Sequence, residues 1–437
     1  MKKIFCSLSA LLLLAGIATA QETVYPAPAY KGKLYITNAT VHVGNGQVLE
    51  GATLEVNNGK IVQIATGVTP ANGAKVIDGR GKHVYPGLIL SSTDLGLKEI
   101  ANGVRGSNDY TELGDYNPSI RSITAYNTDS RIINMLKSNG ILLASVTPEG
   151  GIISGSSTVV QLDAWNWEDA AYKMDGGIHV NMPNFIARGG RRGRGFGLPG
   201  GEPVDPNRAA LDKVDEIKSF FTQAQAYLAE PTHAATNLKL EAVKGLFTKQ
   251  QKLFVHADQV KQMLVAIDFV KEFGFDVVII GGSESFLMAD LLKANNIPVI
   301  LNQSHALPAT EDDDVDQPYK TPAALQKAGV LFAINDAFDE ARYRNLSYNA
   351  GTAVTYGLTK EQALSAITLN AAKILGVDAI TGSLETGKDA NIIVADGDIL
   401  DMKSSNVVYA FIQGRQVSLD NKQLELYERY KYKYGIK

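Results

Sequence analysis

The chain has 437 residues, 20% of them charged, and a formal net charge of −4. Such mild acidity leaves no electrostatic footprint for nucleic acid or an anionic membrane surface. The length is ample for a large barrel with a companion domain, and a lone cysteine, Cys6, excludes both a disulfide framework and a thiol nucleophile downstream of it. Residues 1–20 read as a signal peptide: Lys2-Lys3, an apolar run over 10–14, then Ala18-Thr19-Ala20 before Gln21. The apolar run is too short to span a bilayer and is followed by a cleavage pattern. The expected mature protein is therefore exported, periplasmic or secreted, without a membrane span and free of cysteine. Its net charge is about −6 once Lys2 and Lys3 are removed.

Short alternating strands follow at 34–36, 41–43 and 53–56, with a turn at Asn58-Gly59 and a return strand at 61–64. The run 75–84 then leads into Pro86-Gly87. Beyond it the chain alternates strand and helix. Strands are expected at 141–146, 158–162, 253–255, 277–280, 298–301 and 330–334, and helices at 259–273, 285–294, 321–327 and 360–375. Leu375-Gly376 reads as a glycine-capped helix end. This alternation is the signature of a parallel sheet with helices outside, and about eight such units close a (β/α)8 TIM-like barrel with its active site at the strand C-terminal ends. Strands return only at 391–395 and 407–412, with a turn at Gly414-Arg415. Two strand clusters flanking a long middle point to one small β-sandwich assembled from both chain ends. The expected division is a leader at 1–20, sandwich at 21–84 and 377–418, barrel at 85–376, and a tail at 419–437.

The segment Pro86-Gly87-Leu88-Ile89-Leu90-Ser91-Ser92-Thr93-Asp94 resembles the strand-one motif of the amidohydrolase superfamily. The resemblance extends through Val76-Ile77-Asp78-Gly79-Arg80-Gly81, Ile367-Thr368-Leu369-Asn370-Ala371-Ala372-Lys373-Ile374-Leu375-Gly376 and Gly387-Lys388-Asp389-Ala390, and it is closest in character to the imidazolonepropionase-related branch. It implies a hydrolase of carbon–nitrogen bonds whose bound metal activates water by lowering its pKa to about 7. The family's strand-one His-x-His is replaced here by Ser92 and Asp94, and its strand-six histidine by Gly281. His256 matches the strand-five histidine and Asp336 the strand-eight aspartate that handles the proton of the attacking water. His179 lies near where the bridging ligand falls. The resemblance thus implies one divalent ion, zinc or similar, at Asp94, His256 and Asp336, or none, with Ser92 and His179 as additional candidates.

Each residue also has a bland reading. Asp94 as readily bonds Ser92 or a nearby loop, His256 as an ordinary rim residue, and Asp336 as a turn cap. The arginine–glycine run over 188–197 reads as a surface loop, and the Asp312-Asp313-Asp314 cluster as a solvated one. Trp165 and Trp167 read as core or rim packing, with a substrate wall as the alternative. Of the scattered histidines 42, 83, 233 and 305, His42 and His83 carry no site role, while His305 reads as a loop histidine that could also reach the barrel mouth; the tyrosine-rich tail suggests packing on the domain or on a partner. Three functions follow: a hydrolase of a small non-peptide, cyclic or peptide-like amide; an inactive relative serving as a binding or partner protein; and a solute-binding protein using the emptied pocket.

Overall fold

The computed structural model describes residues 25–99, 109–185, 205–302, 305–308, 312–337 and 341–436; the expected leader and the arginine–glycine run lie outside the described residues. Sixteen strands occur in chain order: β1 (Lys33–His42), β2 (Val48–Asn57), β3 (Lys60–Ala65), β4 (Lys75–Asp78), β5 (Lys82–Pro86), β6 (Leu88–Thr93), β7 (Ile141–Val146) and β8 (Ile153–Gln161). They continue as β9 (Ala171–Asn181), β10 (Lys252–Ala257), β11 (Val277–Gly281), β12 (Val299–Asn302), β13 (Phe332–Asn335), β14 (Ile392–Asp396), β15 (Asn406–Ile412) and β16 (Arg415–Val417).

The smaller domain is built from both chain ends. Its strand order is β16-β15-β14-β5-β1-β2-β3, with β4 also on β1, and β14 pairs antiparallel with β5 so that Ile392 faces Pro86. These strands form one continuous hydrogen-bonded sheet rather than the two facing sheets of the expected sandwich. It folds around an apolar core that includes Leu34, Ile36, Leu54, Ile392 and Phe411. The device is a bend in β1. Asn38 takes the left-handed conformation (φ 58°), the first half of β1 pairs with β4, and the second half pairs with β5. Asparagine tolerates that conformation better than most residues, which explains why the sequence reads as two short strands where there is one.

The larger sheet runs β13-β12-β11-β10-β9-β8-β7-β6. Strands β6 and β7 are parallel, as are β9 through β13. Strand β8 is antiparallel to both β7 and β9, so the regular (β/α)8 expectation is corrected at this point. The links 147–152 and 162–170 are too short for a parallel crossover, which needs about a dozen residues. Two tight reversals are the only connection left.

Strands β13 and β6 are the two ends of this order, and the Asn335 side chain ties them together. Its Oδ1 accepts from the Ser91 and Ser92 amides at 2.9 and 3.3 Å, while Nδ2 donates to the Ser92 carbonyl at 2.9 Å and to Asn302 Oδ1 at 3.0 Å. Asn335 is fully buried, and its three bonds to the β6 backbone are made away from water.

Helices at Val260–Phe273 and Gln317–Ala328 match the expected positions, while the single helix expected over 360–375 is split into Lys360–Ala366 and Leu369–Leu375, the latter ending at Gly376 (φ 71°). The longest helix, Pro206–Ala229, was not anticipated. Its buried stripe of Ala210, Val214, Ile217, Phe221 and Ala224 is nearly half alanine and gives a weak periodic signal. Asp205 caps it by accepting from the Asn207 amide, with proline at the first position. Phe221 then pins it edge-on against Phe269 and Phe275 at ring separations of 5.8 and 5.2 Å. Among the described residues, no helix is long and apolar enough to cross a membrane.

Candidate functional site

The C-terminal ends of β6, β7 and β9–β13 open on one side of the larger sheet, the side on which such barrels carry their chemistry. Asp94 directly follows β6 and is buried. The Tyr343 hydroxyl donates to its Oδ1, and the Lys98 ammonium lies 3.5 Å from its Oδ2. Ser92 is not its partner, because the Ser92 hydroxyl is turned to Thr147 Oγ1 at 3.4 Å. Burial opposes the charge on Lys98, but Asp94 outweighs it and the lysine pKa is raised. Burial, and then Asp94, push the Tyr343 hydroxyl up as well, so it stays a donor.

Glu149, just beyond β7, joins this group. Its backbone amide donates to the Tyr110 carbonyl at 2.7 Å, and the Lys98 ammonium sits 5.0 Å above the Tyr110 ring. The side chain keeps an open solvent face. Even so, the surrounding protein and then the Asp94 charge raise its pKa, with Lys98 pulling the other way. A carboxyl group that its surroundings make harder to ionise suits general acid–base work.

Asp336 directly follows β13 and is fully buried. Its Oδ2 accepts from Asn349 Nδ2 at 3.0 Å and lies 3.9 Å from Arg342 Nε. His256, on β10, and His179, on β9, are joined through Nε2 and Nδ1 at 3.0 Å. Desolvation holds His256 down at about 4, against a smaller upward pull from Asp258. His179 is depressed well below the usual histidine range by burial and then by His256. Its ring stacks on Phe254 at 4.9 Å, and its Nε2 has no partner among the described residues. Both imidazoles are therefore neutral at pH 7.

The expected donor set does not assemble. Among the described residues, no three His, Cys, Asp or Glu side chains gather as a metal-binding group. Asp94 and Asp336 each have a side-chain cation beside them, while His256 is committed to His179. The strand-six position has also been rebuilt. Gly281 has φ 105°, and a Cβ there would fall 2.7 Å from Asp258 Oδ1. No side chain of any kind fits that position without movement.

Several neighbours escaped the sequence reading: Lys98, Glu149, Asn335, Arg342, Tyr343 and Asn349. Of these only Glu149 left a usable signal, an acidic residue just beyond a buried strand. Trp165 and Trp167 are corrected. They follow the antiparallel β8 and so lie at the opposite end of the barrel from the mouth, 63% and 37% exposed, which removes the substrate-wall reading. His42 joins Glu361 at 2.7 Å and His83 at 3.0 Å, where β1 and β5 meet the Lys360–Ala366 helix. Asp314 pairs with Lys320 on the surface, and Tyr427, Tyr430, Tyr432 and Tyr434 are all exposed along the helix Lys422–Tyr434.

A family model described as the amidohydrolase family matches residues 283–417. The chain is 25% identical to the imidazolonepropionase of Thermoplasma volcanium over 385 residues, covering 83% of this chain and 85% of that protein. The crystal structure of an amidohydrolase from Thermotoga maritima MSB8 superposes with a TM-score of 0.75 at 24% identity, covering 88% of this chain and 99% of that one. Over residues 283–417 the chain is similar to the amidohydrolase family, and over most of its length it shares the fold of a solved amidohydrolase. A second relative, the imidazolonepropionase of Picrophilus torridus, is 31% identical over 213 residues, 47% of this chain and 50% of that protein. The chain thus has an amidohydrolase-like frame around a mouth whose polar groups, among the described residues, do not gather as the metal centre of such a frame.

Proposed function

We propose that this protein hydrolyses a carbon–nitrogen bond in a small non-peptide or cyclic amide, in the manner of the imidazolonepropionase-related branch but with an altered site. The observation that carries the reading is the position of three carboxyl groups, Asp94, Glu149 and Asp336, just beyond the C-terminal ends of β6, β7 and β13. The similarity to two imidazolonepropionases supports the bond class. In this reading Glu149 takes a proton from the water that attacks the amide carbon and passes it to the departing nitrogen. Lys98 stabilises the negative charge that develops on the carbonyl oxygen, and Asp336 with Arg342 fixes the adjoining part of the wall, where β13 meets β6.

The test is a panel of small linear and cyclic amides, followed by mass spectrometry, with and without added zinc or manganese. At least one member is turned over, and Glu149→Gln lowers kcat/KM by ~100-fold or more. A panel flat under every condition defeats the proposal. A second reading, an inactive barrel that binds a ligand or a protein partner, draws support from one observation: each expected ligand already has a different side-chain partner. That reading predicts the flat panel.

A further inference from the structure

We infer that this barrel has exchanged its metal charge for side-chain cations: Lys98 beside Asp94 and Arg342 beside Asp336 hold the two buried carboxylates, and the mouth is complete without a divalent ion. The inference stands apart from the hydrolase reading, since it concerns what neutralises the site rather than what the site turns over.

Four observations converge on it. A buried carboxylate is costly unless its charge is compensated nearby. At Asp94 the compensation is the Lys98 ammonium, 3.5 Å from Oδ2, with the Tyr343 hydroxyl bonded to the other oxygen. At Asp336 it is Arg342 Nε, 3.9 Å from Oδ2, with the Asn349 amide donating to the same atom at 3.0 Å. On the far wall, His256 Nε2 is turned to His179 Nδ1. At Gly281 the backbone (φ 105°) and Asp258 together leave no room for a ligand-bearing side chain. A site that had merely lost its ligands would leave bare carboxylates. This one shows a cation, or a specific donor, at each surviving position.

Lys98 and Arg342 also differ from a metal in one respect that matters to their role. They are fixed to the chain and need no deprotonated ligand set, so the site's charge balance does not vary with metal supply. Their own positions are set locally: Lys98 lies four residues beyond Asp94, with its ammonium over the Tyr110 ring at 5.0 Å.

The experiment uses the full mature chain and reads metal content and thermal stability. Protein purified without chelator and then dialysed carries well under 0.1 equivalent of zinc, manganese, iron or nickel by inductively coupled plasma mass spectrometry. Its Tm is the same, within about 1 °C, in EDTA and in 0.1 mM zinc or manganese. Lys98→Met lowers Tm by about 2–4 °C, and adding Asp94→Asn to it recovers at least half of that loss, because the carboxylate no longer needs a cation. About one equivalent of a divalent metal in the wild-type protein, with EDTA lowering its Tm, overturns the inference. So does a strictly additive double variant. The metal measurement needs no variant, so it decides the matter even where Lys98→Met does not fold.

Discussion

The two walls of the barrel mouth solve the same electrostatic problem in opposite ways. On the side of β6 and β13 the polar groups are carboxyl groups, each set against a lysine or an arginine. On the side of β9 and β10 they are imidazoles that stay neutral, with His179 buried against Phe254 and bonded to the half-buried His256. One wall pairs each acid with a base; the other pairs two imidazoles with each other. Positions that resemble the ligands of a single centre therefore follow different rules, and a change that is mild on one wall is severe on the other.

The largest expected effect comes from the side chain that ties the first strand of the barrel to the last. Asn335→Ala removes the partner of two buried amides, a buried carbonyl and the half-buried Asn302. A loss of ~3 kcal/mol is expected from groups left unsatisfied, measurable by urea unfolding with fluorescence. A loss below ~0.5 kcal/mol would mean that the two ends of the sheet are held by other means.

The neutral wall is tested by pH. The folded-state pKa of His256 is about 4, below the ordinary 6.5, so the unfolded chain binds the proton first. Stability is then fully present above about pH 6.5 and falls as pH drops towards 4, by up to ~1.4 kcal/mol per pH unit for one such group. His179 shifts in the same direction. His256→Gln keeps a polar side chain without a titration and should flatten the decline in Tm between pH 6.5 and 4.5. An unchanged slope would remove the neutral pair from the comparison.

The smallest effect lies on the charged wall. Because Glu149 is harder to ionise in the folded state, its charge at pH 7 opposes folding slightly. Glu149→Gln should leave stability unchanged or raise it, by no more than ~0.5 kcal/mol given its open solvent face. A clear loss in a thermal scan would show that Lys98 depends on Glu149 as well as on Asp94.

Much of the frame was legible in the sequence because buried strands and glycine-capped helices are local signals. The run Ile141–Val146 and the close at Leu375-Gly376 needed no tertiary information. The direction of β8 was not legible in the same way, since an apolar strand reads alike from either end. Only the short links on both sides carried the clue. At the site, Asp94, His256 and Asp336 could be placed by motif, but their partners could not. Tyr343 and Asn349 come from the loop and helix after the last barrel strand, and no spacing rule connects Tyr343 to Asp94. The sequence names the residues that remain from a pattern, and only the fold shows what each now touches.

The pairing of β5 with β14 carries a consequence for biosynthesis. Pro86 and Ile392 are neighbours in the sheet but stand at opposite ends of the barrel in the chain. During synthesis one edge of β5 stays without its partner until the whole barrel has been made, and contacts across so long a span form slowly. An unpaired strand edge invites pairing with other chains. A nascent chain stalled within the barrel is therefore the form of this protein most exposed to aggregation and to capture by chaperones, and a truncation before residue 392 would leave it in that state permanently.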